Sequence, residues 1–285
     1  MESNSIIEGR KTFFIAPDAS LLPESYLEDF LSRGYEAYII KDDLCCPLKE
    51  KVRIIIETFP DSIVFFFIDA KIAGIDWYEY ISTLQKEYDG RTLIGVLYTK
   101  GRSAEEKKML ERYFLFDVGV QCGCIALEYQ KSKNFDLVNK VMFANQAGGR
   151  RRNLRAICDV TSKANFEFEG VRYNSNISDI SLSHFSFVLD KNTELPDIPL
   201  YERIDDMFLN FNGVHFRTSC TLILKRVVND DLLYVFLFLK QNGQSGLDAA
   251  IAARVSERIY QMVIDKVKKL LQQLFDDAGK KIRAK

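Results

Sequence analysis

The sequence predicts an α/β domain with a five-stranded parallel sheet, followed by a small antiparallel β-barrel and a long C-terminal helix. Three observations predict this order. Apolar strand patterns alternate with helical patterns as far as residue 145. Alternation of polar and apolar residues then dominates from residue 165 to residue 239. After Gly246, apolar residues recur at helical spacing almost to the end of the chain.

The first half of the chain contains five strand–helix repeats. We expect strands near residues 11–18, 35–40, 63–68, 92–98 and 122–127, and helices near residues 21–33, 47–59, 76–88, 103–114 and 134–145. Gly34 suits the end of the first helix, and Pro47 suits the first turn of the second. The third strand is apolar at consecutive positions, which is typical of a strand covered on both faces. This pattern predicts a parallel sheet with helices on both sides.

Polar side chains stand where three of these strands end. They are Asp18, Asp69 and Thr99, and ligands of parallel α/β folds bind beyond the carboxyl ends of the strands. The segment from Phe66 to Trp77 resembles the third strand and following loop of response-regulator receiver domains, which have a flavodoxin-like fold. This resemblance implies that Asp69 is a candidate phosphoacceptor, that Thr99 is the switch hydroxyl and that Asp18 is one of two acids that hold a metal ion.

Two residues of the receiver pattern are absent from this sequence. The second acid falls on Pro17 or Ala16, and the lysine expected after the fifth strand falls within residues 126–128, where none stands. Loss of a carboxylate weakens Mg²⁺ binding, and loss of the ammonium removes a partner for phosphoryl oxygens. We therefore expect a degenerate receiver-like domain that serves for interaction or positioning, with phosphorylation of Asp69 as the alternative.

An arginine cluster follows two glycines at the end of the last helical pattern. The cluster comprises residues 150–152 and Arg155. Each guanidinium carries five donors in a fixed fork and stays charged, so a dense pair suits a doubly charged phosphate ligand. Farther along the chain, Asp179 and Ser181 stand two residues apart in a β pattern, which predicts that both side chains point to one face. A carboxylate and a hydroxyl can hold the edge of a guanine base, so these residues allow a guanine nucleotide with more than one phosphate.

These two motifs resemble the paired signature of PilZ domains, R-x-x-x-R followed by [D/N]-x-S-x-x-G. The first motif is residues 151–155, and the second is residues 179–184. PilZ domains are six-stranded antiparallel β-barrels that bind the bacterial second messenger cyclic di-GMP. Histidine stands where the family has glycine, and its ring could stack on a base. The resemblance implies a cyclic di-GMP site formed by Arg150, Arg151, Arg152, Arg155, Asp179, Ser181 and His184.

These patterns predict three parts: a receiver-like domain at 1–147, a PilZ barrel with its arginine-rich linker at 148–243, and an amphipathic helix at 244–285. The apolar stripe of this helix is longer than a small barrel can cover. It therefore predicts pairing with a second chain, with docking on the first domain as the alternative. The stripe comprises Leu247, Ile251, Val255, Ile259, Val263, Val267, Leu270 and Leu274.

Composition excludes several classes of protein. The net charge of −1 gives no general attraction to DNA or to an anionic membrane. We find no secretory signal and no apolar run of about 20 residues, so we expect a cytoplasmic protein without a membrane span. Six cysteines lack zinc-site spacing, and with two histidines and no G-x-S-x-G motif a hydrolytic triad is not expected. We expect reduced thiols, no metal, no enzyme activity and no cofactor apart from the ligand cyclic di-GMP.

The sequence thus predicts a cyclic di-GMP receptor that changes its domain arrangement or its contacts with an unknown downstream protein when the nucleotide binds. The resemblance to PilZ domains implies second-messenger signalling, with motility as an expected output. Two alternatives remain at this point. One is a PilZ-like adaptor that contacts other proteins without binding nucleotide, and the other is a response regulator driven by phosphorylation of Asp69.

Overall fold

The computed structural model describes residues 9–148, 153–189, 197–228 and 231–284, without the side chains at positions 131 and 189. The chain divides into two compact units. Unit 1 comprises Met1–Arg152 and Val267–Lys285, and unit 2 comprises Asn153–Lys266. Within the described ranges, no helix combines the length and the hydropathy that crossing a bilayer requires.

Unit 1 contains a five-stranded parallel sheet, which confirms the predicted fold class of the first half. Its strands are β1 Thr12–Ile15, β2 Ala37–Ile40, β3 Ser62–Phe67, β4 Thr92–Thr99 and β5 Cys124–Leu127. The strand order is β2-β1-β3-β4-β5, and each adjacent pair is parallel. Every residue of β3 is buried, as its continuous apolar run predicts. This order is that of flavodoxin-like folds.

In the described part of the first half of the chain, five helices accompany this sheet: α1 Ser25–Ser32, α2 Leu48–Thr58, α3 Trp77–Glu87, α4 Ala104–Arg112 and α5 Lys131–Ala144. Ser103 begins α4 with a reciprocal capping box to Glu106, which satisfies two backbone donors of the first turn. A π-helical segment, Tyr113–Val118, extends α4, and the sequence did not predict it. The i to i+5 bonding of such a segment has no distinctive residue pattern.

Aromatic side chains fill the core of unit 1. The rings of Phe14 and Phe65 stack with centroids 5.4 Å apart, and those of Phe30 and Phe135 stack at 4.7 Å. Gly95 lies directly against this core, because a Cβ atom added there would stand 2.5 Å from the Phe65 ring. Glycine is therefore required at this position of β4 to let the neighbouring ring pack.

Unit 2 contains a closed six-stranded antiparallel barrel, as the PilZ resemblance implies. Its strands are β7 Lys163–Phe168, β8 Val171–Ile180, β9 His184–Leu189, β10 Arg203–Phe211, β11 Val214–Val228 and β12 Asp231–Leu239. Their order is β8-β7-β10-β11-β12-β9, and pairing of β8 with β9 closes the barrel. A short additional strand, β6 Ala156–Ile157, pairs with β8. The predicted barrel is thus confirmed, with β6 added at its side.

Alternating side chains fill the barrel interior. Phe185, Phe187, Phe236 and Phe238 are fully buried, and the ring of Phe185 stacks on both phenylalanines of β12 at 5.3 and 5.1 Å. Such aromatic pairs add about 0.5–1.5 kcal/mol each beyond the burial of their area. The strands that carry the candidate site are therefore held by a rigid aromatic core.

The last helix, α6, spans Ala249–Arg283. Its first part packs in unit 2, where Val255 and Ile259 belong to the barrel core. From Val267 onwards it belongs to unit 1, where Leu271 and Phe275 are buried. Leu270, which the sequence analysis assigned to the apolar stripe, is 40% exposed instead. Pairing with a second chain remains a prediction.

Candidate functional site

One arginine of the first motif, Arg155, is described by the structure and stands at the start of the barrel. Arg150, Arg151 and Arg152 lie outside the described residues, so their predicted roles remain predictions. Arg155 directly precedes β6, and its guanidinium Nη1 lies 3.3 Å from the Asp179 Oδ1 atom. These two side chains are 37% and 24% exposed. The structure therefore brings together one predicted member of each motif, both within reach of solvent.

Asp179 owes its orientation to an irregularity in β8. The pairing of β8 with β9 gains one extra residue on β8 between Ile177 and Asp179. This bulge buries Ile177 and Ile180, three positions apart, in the barrel core and leaves Asp179 partly exposed. A β-bulge re-aims side chains in this way, and here it places the carboxylate on the outer face of the barrel.

The carboxylate of Asp179 has a second partner that the sequence analysis missed. Ser186 is the cross-strand neighbour of Asp179, and its Oγ donates a hydrogen bond of 2.7 Å to Asp179 Oδ2. This contact fixes one carboxylate oxygen, whereas Arg155 contacts the other. A signal was available, since Ser186 stands two residues after His184 on the same strand and therefore on the same face.

Ser181 closes a turn instead of continuing the strand. β8 ends at Ile180, and Ser181 is buried just beyond it. The backbone N–H of His184 donates to Ser181 Oγ at 3.1 Å, and this hydroxyl lies 3.1 Å from the carbonyl oxygen of His184. The alternation that was expected to place Ser181 beside Asp179 does not extend to it. Its observed role is to shape the turn between β8 and β9.

His184 begins β9 beside this turn, and its side chain is half-buried. A hydrogen bond of 2.7 Å joins its Nδ1 atom to the hydroxyl of Ser183, and the Asn153 amide donates to the same hydroxyl at 3.5 Å. Burial lowers the pKa of His184 below its usual value of 6.5, and the neighbouring Arg155 charge lowers it further, while Asp179 acts in the opposite direction. The imidazole is therefore neutral at pH 7.

The outer face at the start of the barrel thus combines a cation, an anion and a neutral ring. Arg155 offers guanidinium donors, Asp179 offers acceptor oxygens, and His184 offers an aromatic surface. These three side chains suit a ligand that carries phosphate and a base with N–H donors.

A second polar cluster lies at the carboxyl edge of the sheet in unit 1. The backbone N–H and the hydroxyl of Thr99 donate to Asp69 Oδ2 at 2.6 and 2.7 Å. The Arg102 guanidinium donates to Asp69 Oδ1. Burial raises the pKa of Asp69, but the bonds from Thr99 and Arg102 outweigh that effect and leave the pKa below its ordinary value. Both carboxylate oxygens of Asp69 are therefore engaged by the protein itself.

Arg102 is a residue that the sequence analysis missed. It supplies a cation to Asp69 from the loop after β4, whereas the receiver pattern draws its lysine from after β5. The residue after β5 is the acidic Glu128, and its Oε1 atom lies 2.5 Å from the Nζ atom of Lys100. Asp18, the candidate metal-holding acid, is exposed and accepts a hydrogen bond from the Ser20 backbone at 2.8 Å. Asp18 thus forms a turn at the start of the first loop.

The described side chains are poorly suited to metal binding and to thiol chemistry. Within them, no group of three His, Cys, Asp or Glu side chains is arranged to hold a metal ion. All six cysteines are described and unpaired. Burial raises the pKa of Cys122, Cys124 and Cys158 to about 12, so these thiols stay protonated and unreactive at pH 7.

Comparison with known proteins gives matches only among solved structures. No protein-family model and no curated protein matches the sequence. YcgR from Escherichia coli in complex with c-di-GMP matches with 16% identity and a TM-score of 0.36, over 42% of this chain and 49% of that chain. The isolated PilZ domain of YcgR with c-di-GMP matches with 16% identity and a TM-score of 0.35, over 42% of this chain and 97% of that chain.

A third similar structure is the MrkH–c-di-GMP complex of K. pneumonia. It matches with 13% identity and a TM-score of 0.37, over 42% of this chain and 55% of that chain. The chain therefore spans about half the length of YcgR and MrkH. The matching structures include a PilZ domain, the family that the paired motifs resemble, and the receiver-like resemblance of unit 1 remains a prediction. TM-scores below 0.5 at these identities do not establish a shared function, so function has to be inferred from this chain's own residues.

Proposed function

We propose that this protein is a receptor for cyclic di-GMP, which it binds on the outer face of the unit 2 barrel. One observation carries the proposal. Arg155 and Asp179, which belong to two separate motifs, have their Nη1 and Oδ1 atoms 3.3 Å apart, beside the paired strands β6 and β8. A cation and a carboxylate on one exposed face are the pair of groups that a phosphate-linked guanine requires.

Contacts with the ligand would replace the ion pair between Arg155 and Asp179 at a modest cost in free energy. Arg155 and Asp179 are both partly exposed, and ion pairs at such positions contribute only about 0–1 kcal/mol. Arg155 can therefore turn its donors to a phosphate or to the O6 and N7 acceptors of guanine. Asp179 keeps its hydrogen bond from Ser186, which holds one oxygen while the other accepts from the N–H edge of the base.

His184 would contribute the surface of its ring. Because its pKa is lowered by burial and by Arg155, it is neutral at pH 7 and adds no charge to the site. A neutral imidazole can stack on a purine, which compensates for the loss of the close backbone approach that the family's glycine permits. Phosphate binding would then depend on the arginines.

The consequence of binding would be a change in the arrangement of the two units or in the surface presented to a partner. Support comes from chain order, since the arginine motif is also the connection between unit 1 and unit 2. A ligand changes such an equilibrium only through its differential affinity for the two arrangements. Small-angle scattering with and without cyclic di-GMP would detect this change, and identical scattering curves at saturating ligand would exclude it.

Calorimetric titration of the full chain with cyclic di-GMP tests the binding itself. We expect saturable binding by the native protein. The substitution Arg155→Ala should weaken it on the order of 10- to 100-fold, because one charge-assisted contact is worth about 1.5–3 kcal/mol. Arg172→Ala is the matched control, because this arginine of the same barrel is 89% exposed and stands outside both motifs.

The same titration decides between receptor and adaptor. An adaptor that contacts other proteins without nucleotide is favoured by one observation, the histidine at position 184 in place of glycine. Absence of binding by a folded native protein would support that alternative. Equal losses in Arg155→Ala and Arg172→Ala would contradict the proposed site.

Phosphorylation of Asp69 is less well supported by the geometry. Its two carboxylate oxygens already accept hydrogen bonds from Thr99 and Arg102, and a phosphodonor would have to compete with these contacts. Incubation with acetyl phosphate and Mg²⁺, followed by intact-mass measurement, tests this alternative. We expect no aspartyl phosphate, and an adduct present in the native protein but absent from Asp69→Asn would establish the phosphoacceptor.

A further inference from the structure

An exposed isoleucine lies next to the carboxylate of the proposed site. β6 has only two residues, and they face opposite ways. Ala156 is buried opposite Ile180, whereas Ile157 is 69% exposed and pairs directly with Asp179. Neither motif includes Ile157, and it is not among the described residues that form the barrel core.

Ile157, Asp179 and Ser186 form a continuous cross-strand row on the outer face. Asp179 is paired with Ile157 on one side and with Ser186 on the other. Residues directly opposite in an antiparallel pair have Cβ atoms about 4.5–5.5 Å apart. The row therefore sets an aliphatic side chain, a carboxylate and a hydroxyl next to one another across three strands.

We propose that Ile157 is a nucleotide-binding residue whose side chain packs against the flat face of the purine that Asp179 holds by its edge. This inference rests on the proposed function of the site. A purine has polar groups around its rim and an apolar face, so edge recognition by a carboxylate leaves the face to be covered by an apolar neighbour. Ile157 is the exposed cross-strand neighbour of Asp179 on the same side of the sheet, so it is placed to supply that apolar contact.

Exposed apolar side chains are common and many have no role, so a matched control is required. Val160 provides it. This residue follows Ile157 in the same segment, is 76% exposed, and lies in the turn that joins β6 to β7 outside the cross-strand row. A general effect of apolar surface would be shared by both residues, whereas a ligand contact would be specific to Ile157.

The experiment is calorimetric titration of the full chain with cyclic di-GMP in native, Ile157→Ser, Ile157→Leu and Val160→Ser forms. We expect Ile157→Ser to weaken binding about tenfold, since burial of most of an isoleucine side chain is lost. Ile157→Leu should bind within about threefold of the native protein, because it restores most of the apolar area. Val160→Ser should bind as the native protein does. Because both positions are exposed, melting temperatures should stay close to the native value.

A second measurement does not depend on the stability of any variant. With isoleucine methyl groups labelled with ¹³C, a purine stacked on Ile157 should shift its δ1 methyl resonance upfield as cyclic di-GMP is added, since the ring current acts within contact distance. Native binding together with undiminished affinity of Ile157→Ser, or with an unshifted Ile157 methyl resonance, would overturn the inference and leave the proposed receptor standing. Absence of native binding would overturn both.

Discussion

Replacement of Asp69 by asparagine should destabilise unit 1, because the carboxylate is the common acceptor that joins two loops. Asp69 accepts from the Thr99 backbone at 2.6 Å, from the Thr99 hydroxyl at 2.7 Å and from Arg102. Its side chain is 19% exposed and that of Arg102 is 28% exposed. Asparagine keeps an acceptor oxygen but loses the charge, and hydrogen bonds to charged groups contribute about 1.5–3 kcal/mol. We expect a loss of about 2 kcal/mol.

Urea denaturation followed by tryptophan fluorescence measures this loss. Trp77 is the sole tryptophan of the chain, is buried in unit 1, and donates its indole N–H to the carbonyl oxygen of Ala70 at 2.7 Å. It therefore reports on the loop that begins at Asp69. The free energy of unfolding falls by about 1–3 kcal/mol per molar urea, so the urea concentration at the unfolding midpoint should fall by about 1 M.

Acidification gives an independent test of the same contact. The pKa of Asp69 is held below its ordinary value of 3.8, so its contribution is present above that pH and is lost as the pH falls through the lower folded-state value. The difference between native protein and Asp69→Asn should therefore disappear in acid. Asp117→Asn, an exposed acid on the π-helical segment, should stay within about 0.5 kcal/mol of native. A variant Asp69→Asn as stable as native protein at pH 7 would refute the assigned role.

Three further predictions concern packing and protonation. Gly95→Ala should destabilise unit 1 by about 1–3 kcal/mol in the same assay, since its Cβ would meet the Phe65 ring at 2.5 Å; unchanged stability would show that the core can yield. Gly279→Ala should lower the melting temperature instead of raising it, because the added Cβ atom would lie 1.8 Å from a backbone carbonyl oxygen of unit 1. The lowered pKa of His184 means that the unfolded chain binds more protons below pH 6.5, so native stability should fall there. Thermal melts at pH 5 and pH 7.5 should show a smaller loss for His184→Gln than for the native protein; a loss equal to the native one would contradict the assignment.

The sequence predicts those parts of the fold that depend on local pattern. The continuous apolar run of β3 and the alternation of strand and helix patterns are local signals, and the parallel sheet and its helices form near the predicted positions. The phase of a long helix is less well determined by pattern. Over 35 residues α6 turns Leu271 and Phe275 into the core of unit 1 and leaves Leu270 at the surface. Small errors in helical phase accumulate along such a helix.

The sequence names candidate residues for the site but not their contacts, and their role in binding stays a prediction. Arg155 and Asp179 were identified from their motifs, but the bulge in β8 that turns Asp179 outward is a property of strand pairing. Ser186 and Ile157 become neighbours of Asp179 only through that pairing. Arg102 likewise reaches Asp69 from another loop, across the sheet edge. Long-range register of this kind is set by tertiary packing and cannot be obtained from local alternation.

The most direct test of the central claim is an equilibrium titration of the full chain with cyclic di-GMP and with its adenine counterpart, using native protein and Asp179→Ala. Both nucleotides carry the same phosphates, but adenine lacks the N1–H donor that a carboxylate can accept from guanine. We predict that native protein prefers cyclic di-GMP at least tenfold and that Asp179→Ala loses this preference. Absence of binding by native protein, or equal affinity for the two nucleotides, would contradict the account.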